Sequence, residues 1–139
     1  MVTPEVTSPS EMKISKRLSP TLAEDGFAAV PRVFLEQYHT FDLSSSEAML
    51  VIHLLNYKWT EKRPFPKVAT IAERMGMTET AVRSHARSLE KKHLLKRIAR
   101  AGQSNEFDLE PLFRRLEFLL AKSPRKAKKT PDTENEGTL

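Results

Sequence analysis

A glycine break between two helical periodicities, a short β-hairpin behind it and a closing amphipathic run predict a mainly α fold. The arrangement expected is a winged helix-turn-helix with a two-stranded β-hairpin wing and a C-terminal helix. The glycine is Gly76, one of only four in the chain, within Glu73-Arg74-Met75-Gly76-Met77-Thr78-Glu79-Thr80-Ala81-Val82-Arg83. The hairpin reads Leu94 to Arg100, a turn at Ala101-Gly102-Gln103-Ser104, and a return through Asn105-Glu106-Phe107. The closing run places Leu109, Leu112, Phe113, Leu116, Leu119 and Leu120 at helical spacing.

Residues 1–25 carry Thr, Ser, Pro and mixed charge with few large apolar groups, and are expected to form a flexible N-terminal segment. The folded domain is expected over 26–121. Phe27-Ala28-Ala29-Val30-Pro31 should lead in extended, because the residue before a proline avoids the helical region. A brief helix from Val33 to Tyr38 follows. Leu43-Ser44-Ser45-Ser46-Glu47-Ala48 then reads as a capping box, with Ser44 as N-cap, Glu47 three places on, and Leu43 able to staple onto Ala48. Met49, Leu50, Ile52, Leu54 and Leu55 continue that helix to about residue 58, where Tyr57 and Trp59 are expected in the core. The three serines are cap chemistry, not nucleophiles.

Arg63-Pro64-Phe65-Pro66 breaks the chain as a connector. A helix from Lys67 to Met75 should bury Val68, Ile71, Ala72 and Met75. Gly76 can take the left-handed conformation that ends a helix at no steric cost, and Thr78 can cap the next one. Two helices separated by three or four residues with a glycine in the turn cross steeply, as in a helix-turn-helix. At about 100° per residue, Val82 at zero puts Ala86 near about 40° and Leu89 near about 340°, so these three point inward. Thr80, Ser84, Arg87 and Lys91 then point outward together, with Arg83 at the border.

Charge follows the same segment. From Arg83 to Arg100 there are seven Lys or Arg against the single acid Glu90, a net +6 beside the whole chain's +5. Residues 122–139 read as a disordered tail, basic over Lys122 to Lys129 and then acidic at Asp132, Glu134 and Glu136. Clustered cations suit a polyanion, because they release condensed counterions on meeting phosphates. Thr and Ser can bond base edges or phosphates, and Arg can take guanine bidentately. Candidate DNA-binding residues are therefore Thr78, Thr80, Arg83, Ser84, Arg87 and Lys91 on the second helix, with Arg97, Arg100 and Gln103 (and Ser104 beside it) on or near the wing tip.

Other chemistry is poorly supported. There is no cysteine, which removes disulfides, thiolate nucleophiles and Cys-based zinc sites. His39, His53, His85 and His93 show no metal-ligand spacing, and no Gly-rich phosphate loop, nucleophile elbow or paired carboxylates occur. An enzyme, a cofactor, a metal and a small-molecule ligand are not expected. The apolar runs are too short to cross a bilayer and none resembles a signal peptide, so a cytoplasmic protein, on the nucleoid when DNA-bound, is expected.

The run Pro66 to Thr78, followed by Ala81-Val82-Arg83-Ser84-His85 and Leu89-Glu90-Lys91-Lys92, resembles the winged helix-turn-helix of phage and plasmid replication initiators and small bacterial regulators. The Phe27–Pro31 lead-in before Leu43-Ser44 is similar to the N-terminal domains of DnaD-like and RepA-type initiators. The resemblance spans about Phe27 to Leu120, and it implies that Thr78, Thr80, Arg83, Ser84 and Arg87 face DNA. Two positions depart from the pattern: His93 stands where glycine is usual, and Ala86 where a larger aliphatic is common. The expected function is a sequence-specific double-stranded DNA-binding protein, a transcriptional regulator or replication-control factor of a bacterial mobile element. It should act as a homodimer, since one winged domain covers few base pairs. The alternative is a protein-interaction module that uses the winged fold for docking in a replication or regulatory complex.

Overall fold

The computed structural model describes residues 9–58 and 62–122, with side chains from Ile14 onward. Trp59, the first eight residues and the tail beyond Lys122 lie outside the described residues. Among the described residues seven α-helices and one hairpin follow in order: α1 Pro9–Leu18, α2 Pro20–Asp25, α3 Arg32–Gln37, α4 Ser45–Leu55, α5 Val68–Met75, α6 Glu79–Lys91, β1 Lys96–Arg100, β2 Gln103–Asp108 and α7 Glu110–Lys122. The fold is the winged helix-turn-helix that the sequence predicts.

Where the sequence suggested no regular structure, residues 9–25 form two helices broken at Ser19. Ser19 accepts the Leu22 N–H (3.1 Å), and Pro20 at the first helical position starts α2 without losing a bond. No residue of α2 is buried, so hydrophobic periodicity left no trace of it. The lead-in 26–31 has no regular secondary structure, and α3 then buries Val33 and Phe34 before a 3-10 turn at Tyr38–Phe41.

In α4 the capping box is complete: Ser44 Oγ accepts the Glu47 N–H (3.1 Å) and Glu47 Oε1 accepts the Ser44 N–H (2.9 Å). The helix ends at Leu55, three residues earlier than expected, and Tyr57 is half-buried with its hydroxyl bonded by Arg74. Met49, assigned to the apolar face by spacing, is exposed, whereas Val51 is buried.

The core gathers Phe34, Leu50, Leu54, Ile71, Leu89, Leu94 and Leu112, all essentially inaccessible. α4, α5 and α6 pack on one another, and α7 lies against α3. Apolar burial of this kind contributes roughly 1.5–3 kcal/mol per large side chain.

Both helices of the helix-turn-helix end in the same way. After α5, Gly76 (φ 68°) bonds Glu73 O (3.2 Å) and Met77 N reaches Ala72 O (3.0 Å). After α6, His93 (φ 61°) bonds Glu90 O (2.9 Å) and Leu94 N reaches Leu89 O (3.0 Å). Each is a Schellman motif with a left-handed residue outside the helix. His93 therefore pays a conformational penalty that Gly76 avoids, yet the cap is closed.

The hairpin is antiparallel, pairing Lys96 with Asp108, Arg97 with Phe107, Ile98 with Glu106 and Arg100 with Gln103. An extra residue in β2 shifts the register between Ile98 and Arg100. The turn is only Ala101-Gly102, with Gly102 at φ 67°, so Gln103 and Ser104 belong to β2 and not to the turn. Leu94 and Leu95 precede β1 and are buried, anchoring the hairpin to the core.

Candidate nucleic-acid interface

Two Schellman-capped helices set the geometry of the candidate surface. Thr78 Oγ1 accepts the Ala81 N–H (3.0 Å) and starts α6. Val82, Ala86 and Leu89 are buried, and Thr80, Arg83, Ser84, Arg87 and Lys91 are exposed on the other side. No hydrogen bond or salt bridge within the described residues engages the side chains of Thr80, Ser84, Arg87 or Lys91. Arg83 is held by Glu79 one turn back (3.1 Å), both side chains half-exposed. His85 is half-buried beside this row.

The wing residues are arranged differently. Arg97 pairs across the hairpin with buried Phe107, at the root of the wing and away from its tip. Its guanidinium lies 2.8 Å from Glu90 Oε1 and its N–H donates to Glu90 Oε2 (3.1 Å). The hydrogen bond from Arg97 holds the Glu90 carboxyl below its usual range against the opposing effect of burial. Arg100, next to the turn, folds back: its Nε donates to Ser104 O (2.8 Å), its Nη1 is 3.8 Å from Glu106, and its guanidinium stacks over Phe65 at 4.7 Å. Gln103 is exposed beside the turn.

Lys92 is also engaged. Its ammonium binds Glu47 Oε1 (2.9 Å) and Asp42 O (2.6 Å), tying the end of α6 to the start of α4. Glu47 is 5 % exposed. Burial would raise its carboxyl, but hydrogen bonds from Ser88, Lys92 and the Ser44 N–H outweigh that and hold it at about 2. Of the seven cations in 83–100, Arg83, Lys92, Arg97 and Arg100 are thus paired to acids, while Arg87, Lys91 and Lys96 have no salt bridge among the described residues. The net charge of +6 is therefore not one free surface. Its available part is Arg87 and Lys91 on the outer, C-terminal half of α6, with Lys96 at the start of β1.

Two features escaped sequence reasoning. A cleft of about 350 Å³ separates α6 from the wing, with Lys67, Arg83, Gln103, Ser104 and Asn105 on its walls. Segment 62–66 is more than a connector. Phe107 N–H donates to Pro64 O (2.8 Å), Arg63 binds Glu106 (3.1 Å), and Pro64 and Pro66 are buried, so the segment straps the free edge of β2. The visible signal was the alternation Pro64-Phe65-Pro66, two buried prolines flanking a phenylalanine.

Comparison with known proteins decides the family. The model of the DnaD N-terminal domain matches residues 30–127. The chain belongs to the DnaD N-terminal domain family. The crystal structure of the N-terminal domain of DnaD protein from Geobacillus kaustophilus HTA426 is similar, with TM-score 0.56 and 28 % identity, covering 77 % of this chain and 90 % of that one. The YusO protein from Bacillus subtilis matches at TM-score 0.40 and 19 % identity over 92 % of this chain and 90 % of that one. No curated protein matches. Membership in the DnaD N-terminal domain family makes this a replication-related protein. No helix among the described residues is long and apolar enough to cross a membrane.

Proposed function

We propose that this DnaD-type domain binds double-stranded DNA in replication control, with α6 entering the major groove. The observation that carries this reading is the outward row of Thr80, Ser84, Arg87 and Lys91, which is exposed and makes no side-chain hydrogen bond or salt bridge among the described residues while its helix is anchored inward by Val82, Ala86 and Leu89. Arg87 and Ser84 would supply any base readout, Lys91 and Arg83 phosphate contacts, and Gln103 a flanking contact from the wing. Thr78 contributes mainly by capping α6. Arg97 and Arg100 act as supports of the wing and not as direct DNA ligands.

The functional unit on this reading is a homodimer. Support comes from apolar side chains left exposed away from α6: Leu22 in α2, Phe27 in the lead-in and Phe118 in α7. Light scattering at micromolar concentration tests it, and a monomer both free and DNA-bound would defeat it.

Titrating Arg87→Ala against matched and scrambled duplexes separates the kinds of contact. A base contact costs roughly 1–3 kcal/mol on the preferred sequence, whereas a phosphate contact weakens all sequences alike. No loss on either removes Arg87 from the site. The docking-module reading draws support from the wing, whose arginines are committed within the fold. Salt-independent gel-shift behaviour would favour it.

A further inference from the structure

The outer face of α6 and the chain beyond α7 carry opposite charge within reach of each other. On α6, Arg87 and Lys91 are exposed and make no salt bridge among the described residues. α7 packs beside the end of that helix: its Arg115 donates to Lys92 O (3.3 Å) and covers the Phe41 ring at 5.0 Å. Lys122, the last residue of α7, lies seven residues further on, about 10 Å along the axis. Asp132, Glu134 and Glu136 follow ten to fourteen residues later, and ten residues of extended chain span up to about 33 Å. Lys91 adjoins Lys92 and Arg87 stands one turn behind it, about 6 Å away, so both fall inside that radius.

Spacing matches as well as charge. In an extended chain alternate residues point the same way about 6.8 Å apart, which is the repeat that residues 132, 134 and 136 would present. Arg83, Arg87 and Lys91 recur every four residues, about 6 Å apart along α6. Arg83 already meets Glu79 at 3.1 Å, but both side chains are half-exposed and an exchange of partners there costs little. The competing cations are Arg125, Lys126, Lys128 and Lys129 in the same tail. Thr130-Pro131 separates them from the acids, and the residue before a proline avoids the helical region, which removes the i, i+4 pairing that one continuous helix would give.

We propose that segment 132–136 docks on the outer face of α6, its carboxylates pairing with Lys91, Arg87 and Arg83 as an intramolecular competitor for any polyanion. Tethering gives the acids a high local concentration, while exposed pairs are weak and screened by salt, so the contact is displaceable. The consequence for a duplex rests on the reading of α6 given above; the contact itself does not.

The chain has no cysteine, so Asn135→Cys accepts a single nitroxide label on the otherwise native protein. At low ionic strength the label should broaden the amide signals of residues 84, 87, 88 and 91 selectively. High salt should restore them, and so should Asp132→Asn/Glu134→Gln/Glu136→Gln in the labelled chain. The same triple variant, unlabelled, should bind duplex at least about threefold more tightly than the native chain, the gain that one or two exposed ion pairs would give. Glu24→Gln/Asp25→Asn/Glu117→Gln removes three exposed acids elsewhere and controls for net charge; it should change duplex affinity by less than about twofold. The proposal is overturned if the α6 signals are not broadened, if the broadening survives in the triple variant, or if the control variant gains as much affinity as the tail variant. Selective broadening in a chain that binds no duplex would uphold the contact and overturn the reading of α6 instead.

Discussion

The outer face of α6 and the wing carry the same kind of charge in opposite states. On α6, Arg87 and Lys91 stand exposed without salt bridges among the described residues, while Glu90, which Arg87 reaches only as a weaker electrostatic influence, is taken by Arg97. On the wing, Arg97 and Arg100 are held by Glu90, Glu106 and a backbone carbonyl. The lesson is that a run of cations measures charge and not availability. Whether an arginine can meet a ligand depends on which acids the fold brings to it, and those acids here come from seven residues back in the chain and from across a hairpin.

The largest expected effect concerns Lys92, the third state of a cation in this stretch, which is sequestered against Glu47. The folded Glu47 carboxyl, at about 2, lies below its unfolded value, so its contribution to stability is present above about pH 4.5 and is lost as pH falls towards 2. The shift corresponds to about 3 kcal/mol, and denaturant titrations across that range should show most of the loss absent in Glu47→Gln. A variant with the native pH profile would mean that other carboxylates carry the acid sensitivity.

On the free side of the comparison, Arg87→Ala should weaken duplex binding by roughly 1–3 kcal/mol with no change in melting temperature, read by anisotropy and by thermal unfolding. On the tied side, Glu90→Gln should cost about 1 kcal/mol of stability, since its pair with Arg97 is only part-buried. That variant also releases Arg97, so its duplex affinity should rise or stay level; a fall would show that Glu90 orders the wing for binding. The smallest effect belongs to the paired helix ends. His93→Gly should stabilise by about 0.5–1 kcal/mol by removing the left-handed strain, while Gly76→Ala, at φ 68°, should destabilise. Equal shifts of the same sign would contradict the Schellman assignment at His93.

Much of the fold was legible because its signals are local. Ser44 with Glu47, Gly76 with Thr78, and the inward trio Val82, Ala86 and Leu89 each depend on residues a turn apart. The outward row on α6 followed from the same periodicity. What escaped depends on distant partners. No spacing rule says that Lys92 meets Glu47 across 45 residues, that Arg63 meets Glu106, or that Pro64 accepts a bond from Phe107. Arg97 was accordingly placed at or near the tip when it belongs to the root, and nothing local announces that Arg100, beside the turn as expected, folds onto Phe65. The helices at 9–25 escaped for a different reason: the α2 cap is readable, but no residue from Ile14 to Asp25 is buried, so that stretch lacks the apolar rhythm that periodicity detects.

Duplex affinity of Arg87→Ala/Lys91→Ala measured beside that of Arg97→Ala, in one buffer and across a salt series, tests the division most directly. The double variant should bind at least about tenfold more weakly and flatten the salt dependence by roughly two counterions, while Arg97→Ala keeps the native affinity and slope. Native affinity in the double variant, or a loss confined to Arg97→Ala, would put the contact surface on the wing and contradict the assignment to α6.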